Sequence, residues 1–205
     1  MVSTDPFAVD SLSAALAYHS LGWSIIPIAA NKKTPALKSW KPFQTRRADE
    51  QQISDWFDKR DDLGLAVVLG VVSGGLTCRD FDDEAAYYAW AAQNPELAKT
   101  LSTAKSGRGF HVYFVSDLDH TEKLGDGELR GNGSIVVLPP SRHPSGIQYR
   151  WIIPPTANIP RLDFRQFQHK EPTERQSHEM ASVSPSLRVS VSPCLWFSVS
   201  LSLCR

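Results

Sequence analysis

Apolar residues recur at helical spacing near the N-terminus, where Leu12, Ala15, Leu16 and His19 share one side of residues 11–20. That spacing predicts a first helix, capped by Asp10 or Ser11 and stopped at Gly22. Residues 23–29 read as a strand, and Pro27 places it at a sheet edge or strand end. Residues 49–57 predict a second helix, with Ile53, Trp56 and Phe57 on one side. Residues 65–72 and 76–81 read as buried strands. Asp82 or Asp83 then caps a helix rich in Ala, Tyr and Trp that ends before Pro95, and a further helical turn covers 95–101. Residues 102–109 are polar and glycine-containing. A β-rich run follows over 110–115. Strands at 128–130 and 134–138 are separated by the turn signal Gly131-Asn132-Gly133. Pro139-Pro140-Ser141 opens a loop, and 148–153 is the last strand. Helices mixed with late hairpins predict an α+β fold on an antiparallel or mixed sheet.

From about Pro154 prolines, charges and glutamines follow as in a linker, and residues 182–205 are Ser/Val/Leu repetition. The expected division is a domain over 8–153, a linker-like stretch over 154–181 and a low-complexity tail over 182–205. The tail has no turn chemistry or helical stripe to pack it. It is expected to be disordered, or the product of a shifted reading frame. The 205 residues suffice for one domain with a core plus a tail. A formal net charge of zero argues against a basic, nonspecific DNA coat, while leaving room for a local basic cleft. The three cysteines, Cys78, Cys194 and Cys204, form no CxxC pair, which indicates neither a disulfide framework nor a zinc knuckle and fits a reducing cytoplasm. The N-terminus lacks the basic and apolar regions of a signal peptide, and no apolar run is long enough to span a bilayer.

Candidate chemistry lies in four clusters. The first is Arg79-Asp80-Phe81-Asp82-Asp83-Glu84 at the end of a strand. Asp80 and Asp82 share a face by the period of two, and two carboxylates converging on one point repel unless a cation lies between them. Such oxygen ligands suit Mg²⁺ or Mn²⁺ and begin many phosphoryl-transfer sites. The plainer reading is a strand end followed by the acidic first turn of a helix. The second cluster is Ser106-Gly107-Arg108-Gly109-Phe110-His111: a glycine turn that lets backbone N–H groups approach an anion, an Arg fork, and a His opening a strand. The third is Glu128-Leu129-Arg130-Gly131, in which Glu128 would complete a ligand set with Asp80 and Asp82, and Arg130 would neutralise a triphosphate. Asp126 is its rival for the acid; a surface ion pair is the plainer reading. The fourth is the stiff loop 139–146, where Ser141, Arg142 and His143 could meet a phosphate or a template, or simply be exposed polar residues of a proline-rich turn.

The order of these clusters resembles the bifunctional DNA primase/polymerase (Prim-Pol) domain of the archaeo-eukaryotic primase superfamily, from about Ala14 to Trp151. The resemblance is carried by Ala17-Tyr18 with Gly22-Trp23-Ser24-Ile25-Ile26-Pro27, by Lys33-Thr34-Pro35 with Trp40, and by Trp56-Phe57. It continues through Ser73-Gly74-Gly75, Asp80-Phe81-Asp82, Gly109-Phe110-His111-Val112-Tyr113-Phe114, Glu128-Leu129-Arg130-Gly131, and Pro139-Pro140-Ser141 with Gly146 and Tyr149-x-Trp151. It implies an RRM-like catalytic sheet joined to a smaller αβ unit. It implies that Asp80, Asp82 and Glu128 bind two Mg²⁺ or Mn²⁺ ions, and that His111 contacts the phosphates of an incoming NTP or dNTP. Ser106 lies somewhat ahead of the family's usual serine, where this chain has Gly109, which leaves the serine's role open.

The activity so implied is template-directed nucleotidyl transfer on single-stranded DNA, in the replication of a mobile element such as a phage or plasmid. Ser106, Arg108, His111 and Arg130 would take the nucleotide, and Lys105, Ser141 and Arg142 the template. Family members commonly carry a helicase after this domain. No Walker A sequence occurs here, so a helicase would come from a separate or missing C-terminal segment. Two other readings compete. A rolling-circle nickase needs a His-x-His pair, and His111-Val112-Tyr113 lacks the second His. A non-catalytic module would bind single-stranded DNA or nucleotide without using the acids.

Overall fold

Three aspartates start helices by the same device. Asp10 accepts a hydrogen bond from the Ser13 amide, Asp49 from Gln52 and Asp83 from Ala86, each at 2.8 Å. Each satisfies an amide that the first helical turn leaves without a partner, a contribution of about 1 kcal/mol. The computed structural model describes Phe7, residues 10–60 and residues 62–167. The expectations for residues 168–181 and for the 182–205 tail lie outside these residues.

The elements run α1 (Ser11–Ser20), β1 (Ser24–Ile28), α2 (Glu50–Phe57), β2 (Gly64–Val68), β3 (Leu76–Phe81), α3 (Glu84–Gln93), α4 (Pro95–Thr100), β4 (Ser102–Lys105), β5 (Phe110–Val115), β6 (Thr121–Leu124), β7 (Gly127–Arg130), β8 (Ile135–Leu138) and β9 (Arg150–Ile153). They form a mixed α+β structure with two sheets. One has the order β1-β2-β8, the other β6-β7-β3-β5-β4-β9, and every pairing is antiparallel. Pro27, with no amide to donate, lies on the edge strand β1 as expected.

The period of two divides the large sheet into two faces. Phe81, Phe110, Val112, Phe114 and Leu129 turn one way and pack with Tyr87 and Trp90 of α3. Cys78, Ala104 and Tyr113 turn the other way and join the core that holds β1, β2, β8 and both N-terminal helices. An aromatic ladder ties this second core together. Tyr18 stacks on Trp23 at 5.3 Å, Trp23 lies 6.1 Å from Tyr113, and Tyr113 lies 5.3 Å from Trp151. The Tyr18 hydroxyl donates to the Pro139 carbonyl at 2.9 Å and accepts from the Trp151 indole at 2.7 Å. The resemblance-bearing residues Tyr18, Trp23 and Trp151 therefore meet in one place.

Four expectations are corrected. The polar run 102–109 contains a strand, β4, between β5 and β9. An edge strand, β6, precedes β7. The strand expected over 65–72 ends at Val68, and Val71–Ser73 form a 3₁₀ turn. Gly131-Asn132-Gly133 does not close a hairpin: β7 pairs with β3 and β6, whereas β8 pairs with β2 in the other sheet. A local turn signal reports a change of direction but not the strand that receives the chain.

The chain past Ile153 stays against the large sheet. The Val115 amide donates to the Pro160 carbonyl and the Leu162 amide to the Val115 carbonyl, both at 2.9 Å. Phe167 is buried and stacks on Phe114 at 4.3 Å. Among the described residues no helix is long and apolar enough to cross a membrane.

Candidate active site

Asp80 lies near the end of β3, between β5 and β7. Its register partner on one side is His111 and on the other Glu128. Register partners on neighbouring strands turn their side chains to the same face. The three therefore form a row across the sheet, on the face opposite α3. One pleat back, Arg130 and Tyr113 flank Cys78 in the same way.

Backbone close approach sets this spacing. A Cβ on Gly109 would collide with the Phe81 carbonyl oxygen, so β5 can begin this close to β3 only with glycine there.

The row is cross-linked by charge. Arg130 donates from Nε to the Asp80 carboxylate at 3.1 Å and from Nη2 to Glu128 at 2.7 Å. His111 Nε2 lies 3.4 Å from the other Asp80 oxygen, and its Nδ1 lies 3.3 Å from the Tyr113 hydroxyl. Burial alone would raise the Asp80 pKa, but the His111 imidazole and the Arg130 guanidinium outweigh it and hold the group at about 2. Burial acts on the Tyr113 phenol without such compensation and pushes it well above its usual range, so it stays protonated. The Tyr113 hydroxyl and His111 Nδ1 lie within hydrogen-bond reach, and the other ring nitrogen, Nε2, faces Asp80. Asp80, Glu128 and Arg130 keep 19, 27 and 30% of their side chains exposed, so the row is reachable from solvent.

The other expected residues are placed as follows. Asp82 lies one residue past β3, exposed, its amide donating to the Asp126 carbonyl at 3.1 Å. Asp126 forms its ion pair with Arg79, which turns to the opposite face of β3, so of the two rival acids Glu128 is the one across from Asp80. Ser106 accepts from the Gly109 amide at 3.1 Å and closes the β4–β5 turn, with Arg108 exposed at its tip. Lys105 turns to the α3 face, where it pairs with Glu84 at 2.9 Å and lies over the Phe110 ring. Ser141 is buried and both accepts from and donates to the Leu65 backbone, at 2.8 and 3.1 Å. Arg142 is exposed beside it. Asp80, His111, Glu128 and Arg130 are thus brought together; Lys105 and Ser141 have structural partners elsewhere.

Two residues beside the row, Tyr113 and Tyr149, enter the sequence reading only through the resemblance. Tyr113 supports His111 from two positions along the same strand, a relation the period of two contains. Tyr149 lies 5.8 Å from the His111 ring and 6.1 Å from His143. It comes from a distant loop, and no local pattern marks it.

The donor chemistry suits a hard divalent cation. Two carboxylates in register, one held ionised well below neutrality, already converge on the cationic Arg130. Among the described residues, no three His, Cys, Asp or Glu side chains form a ready metal-ligand group.

No curated protein matches the chain. The model of one family does match, over residues 15–162, and its description is bifunctional DNA primase/polymerase, N-terminal. That span takes in α1 from its second turn, every strand, and the acidic row described above. The chain belongs to this Prim-Pol family, whose members are nucleotidyltransferases that act on a DNA template with nucleotide substrates.

Proposed function

We propose that the row Glu128–Asp80–His111 is the nucleotidyl-transfer centre of a primase-polymerase that makes or extends primers on single-stranded DNA. The observation that carries this reading is the double register of Asp80, which sets an acid on one side and a histidine on the other. Strands β7-β3-β5-β4 lie in the chain order fourth, first, third, second. In this arrangement β3, α3 and β4 form a split βαβ unit with β5 between the strands, which supports an RRM-like catalytic sheet with the β1-β2-β8 sheet as the smaller αβ unit.

Mg²⁺ or Mn²⁺, held through Asp80, Glu128 and Asp82, which follows β3 by one residue, would supply charge neutralisation at the phosphates and activation of the attacking hydroxyl. The chain's own groups do the rest. Asp80 remains an anion at neutral pH. Arg130 offers donors to phosphate oxygens, and His111 turns its Nε2 edge to the same place, with the Tyr113 hydroxyl against its Nδ1. Ser106 acts through the turn it closes, which presents Arg108 to a nucleotide. Arg142, exposed, is a template contact in this reading. Lys105 and Ser141 act at most through the turn and loop they stabilise.

The setting in this reading is the cytoplasmic replication of a mobile element such as a phage or plasmid, with a helicase supplied by another chain or segment. Residues 8–153 are the catalytic domain in this reading, extended by the packed stretch to 167, and the linker and tail follow. The test is template-dependent nucleotide incorporation with Mg²⁺ or Mn²⁺, wild type beside Asp80→Ala/Asp82→Ala. Loss in the folded variant is the expected result. Equal synthesis by both overturns the reading. Metal-independent binding of DNA with no synthesis by either favours the non-catalytic module.

A further inference from the structure

Three loops meet beside Tyr149, whose ring lies 5.8 Å from His111 and 6.1 Å from His143. The tip of the β4–β5 hairpin presses against the fourth sequence cluster: a Cβ on Gly107 would overlap the His143 imidazole. The loop after β1 runs along the same cluster, and a cleft of about 430 Å³ there is lined by Lys32, Arg142 and Gln148, with Asp10 and Asp62 also among its lining residues. Lys33 follows Lys32 in that loop and is exposed, as is Arg108 on the hairpin tip.

His143 is held in one orientation. Its amide donates to the Ile147 carbonyl at 2.7 Å, and the Gly146 amide returns to the His143 carbonyl at 2.8 Å. Its Nδ1 accepts from the Ser145 amide at 3.1 Å and faces the Ser145 hydroxyl at 2.8 Å. A backbone N–H can only donate, so the neutral ring carries its proton on Nε2 and presents a donor. Burial and then the two cations Lys33 and Arg108 lower the His143 pKa, which keeps the ring neutral. Neither Lys33 nor Arg108 has an ion pair among the described residues. Two cations held in no ion pair, beside an N–H donor, make a site for an anion.

We infer that Lys33, Arg108 and His143 form a phosphate-binding site, joined to the nucleotidyl-transfer row through Tyr149. The phosphate is that of a nucleic-acid backbone or of a free triphosphate. The inference rests on the proposed function of the row, since it extends the same site along the substrate.

The test measures binding of a labelled oligothymidylate by fluorescence anisotropy over a range of salt, and binding of dATP with Mg²⁺ by calorimetry. Lys33→Ala/Arg108→Ala alters two exposed side chains, and a melting curve confirms the fold. With the backbone as source, the double variant loses about tenfold or more in oligothymidylate affinity. The slope of log K against log salt shrinks by about 1.4, or about 0.7 for each phosphate released on a single strand. His143→Ala weakens binding by about threefold with the slope unchanged, because a neutral donor releases no counterion, and His143→Gln recovers most of it. A loss confined to dATP assigns the site to the free triphosphate. Unchanged binding of both probes by the double variant, or binding of neither by wild type, overturns the inference. Asp80→Asn measured alongside separates the two claims: synthesis by that variant removes the proposed function of the row, while the salt slopes judge the phosphate site by themselves.

Discussion

Arg79 and Asp80 are neighbours on β3, and each is paired with an opposite charge, yet the two pairs do different things. Arg79 turns toward α3. It is 2% exposed, bonded to Asp126 and to the Asp80 carbonyl, and laid over the Phe81 ring at 4.0 Å. Asp80 turns the other way and shares Arg130 with Glu128, where all three side chains keep an open side. The first arrangement is closed to solvent: two nitrogens of its guanidinium fix the β3–β7 end, and Nε is buried without a partner among the described residues. The second can still exchange partners. A buried pair costs desolvation whether or not it ever acts, whereas a half-open one can trade a neighbour for a ligand. The difference lies in the side of the strand, not in the kind of residue.

Substitutions on the two sides should therefore separate activity from stability. The largest effect belongs to the open side. Asp80→Asn, and Asp82→Asn beside it, should lower primer synthesis by about a thousandfold or more, with a melting temperature near that of wild type for Asp82→Asn. Gel-resolved primer synthesis and calorimetric melting decide it, and synthesis by a folded Asp82→Asn would remove that residue from the site. Next comes the closed side. Arg79→Ala breaks a buried pair and should cost about 3 kcal/mol in denaturant unfolding, the lower end of the range for such losses. If it unfolds the domain no more easily than Arg130→Ala does, the contrast between the faces fails.

The acid limb gives a smaller effect. Asp80 sits at about 2 against an ordinary 3.8, so its ionised form is favoured in the folded state. That contribution is complete above about pH 4 and is lost as pH falls through about 2, amounting to about 2 kcal/mol. Unfolding free energy followed from pH 5 down to pH 2 should fall less steeply in Asp80→Asn. The smallest is Ser106→Ala, which removes one hydrogen bond from a turn and should cost about 1 kcal/mol. A loss of synthesis greater than the loss of fold would return Ser106 to direct nucleotide contact.

The same contrast explains what could be read from the residues alone. β3 and β5 are visible as apolar runs bounded by glycine or charge; Asp10 and Asp83 each stand as one of two candidate caps, whereas Asp49 reads as part of the helix it caps. Alternation along β3 puts Asp80 and Arg79 on opposite faces. Choosing Glu128 over Asp126 needed the register of β7 against β3, a long-range fact. β4 was hidden because its Ser102, Thr103 and Lys105 resemble a loop, although burial on both faces makes it a central strand. β6 is a short edge strand of alternating exposure and has no apolar signature at all. Lys105 and Ser141 looked like free polar groups because Glu84 and the Leu65 backbone, which take them up, lie 21 and 76 residues away. The family resemblance singled out Asp80, His111 and Glu128 together; which of them face one another is set by strand pairing.

The aromatic ladder has an optical consequence. Tyr18 and Trp23 lie at 5.3 Å with ring planes 1° apart, close enough for their transition dipoles to couple in the near ultraviolet. Tyr113 stands between Trp23 and Trp151 and touches His111 by its hydroxyl. A substrate that moves His111 therefore disturbs a chromophore array one ring away. The domain carries its own unlabelled reporter, and near-ultraviolet circular dichroism and tryptophan emission can follow occupancy of the site in real time.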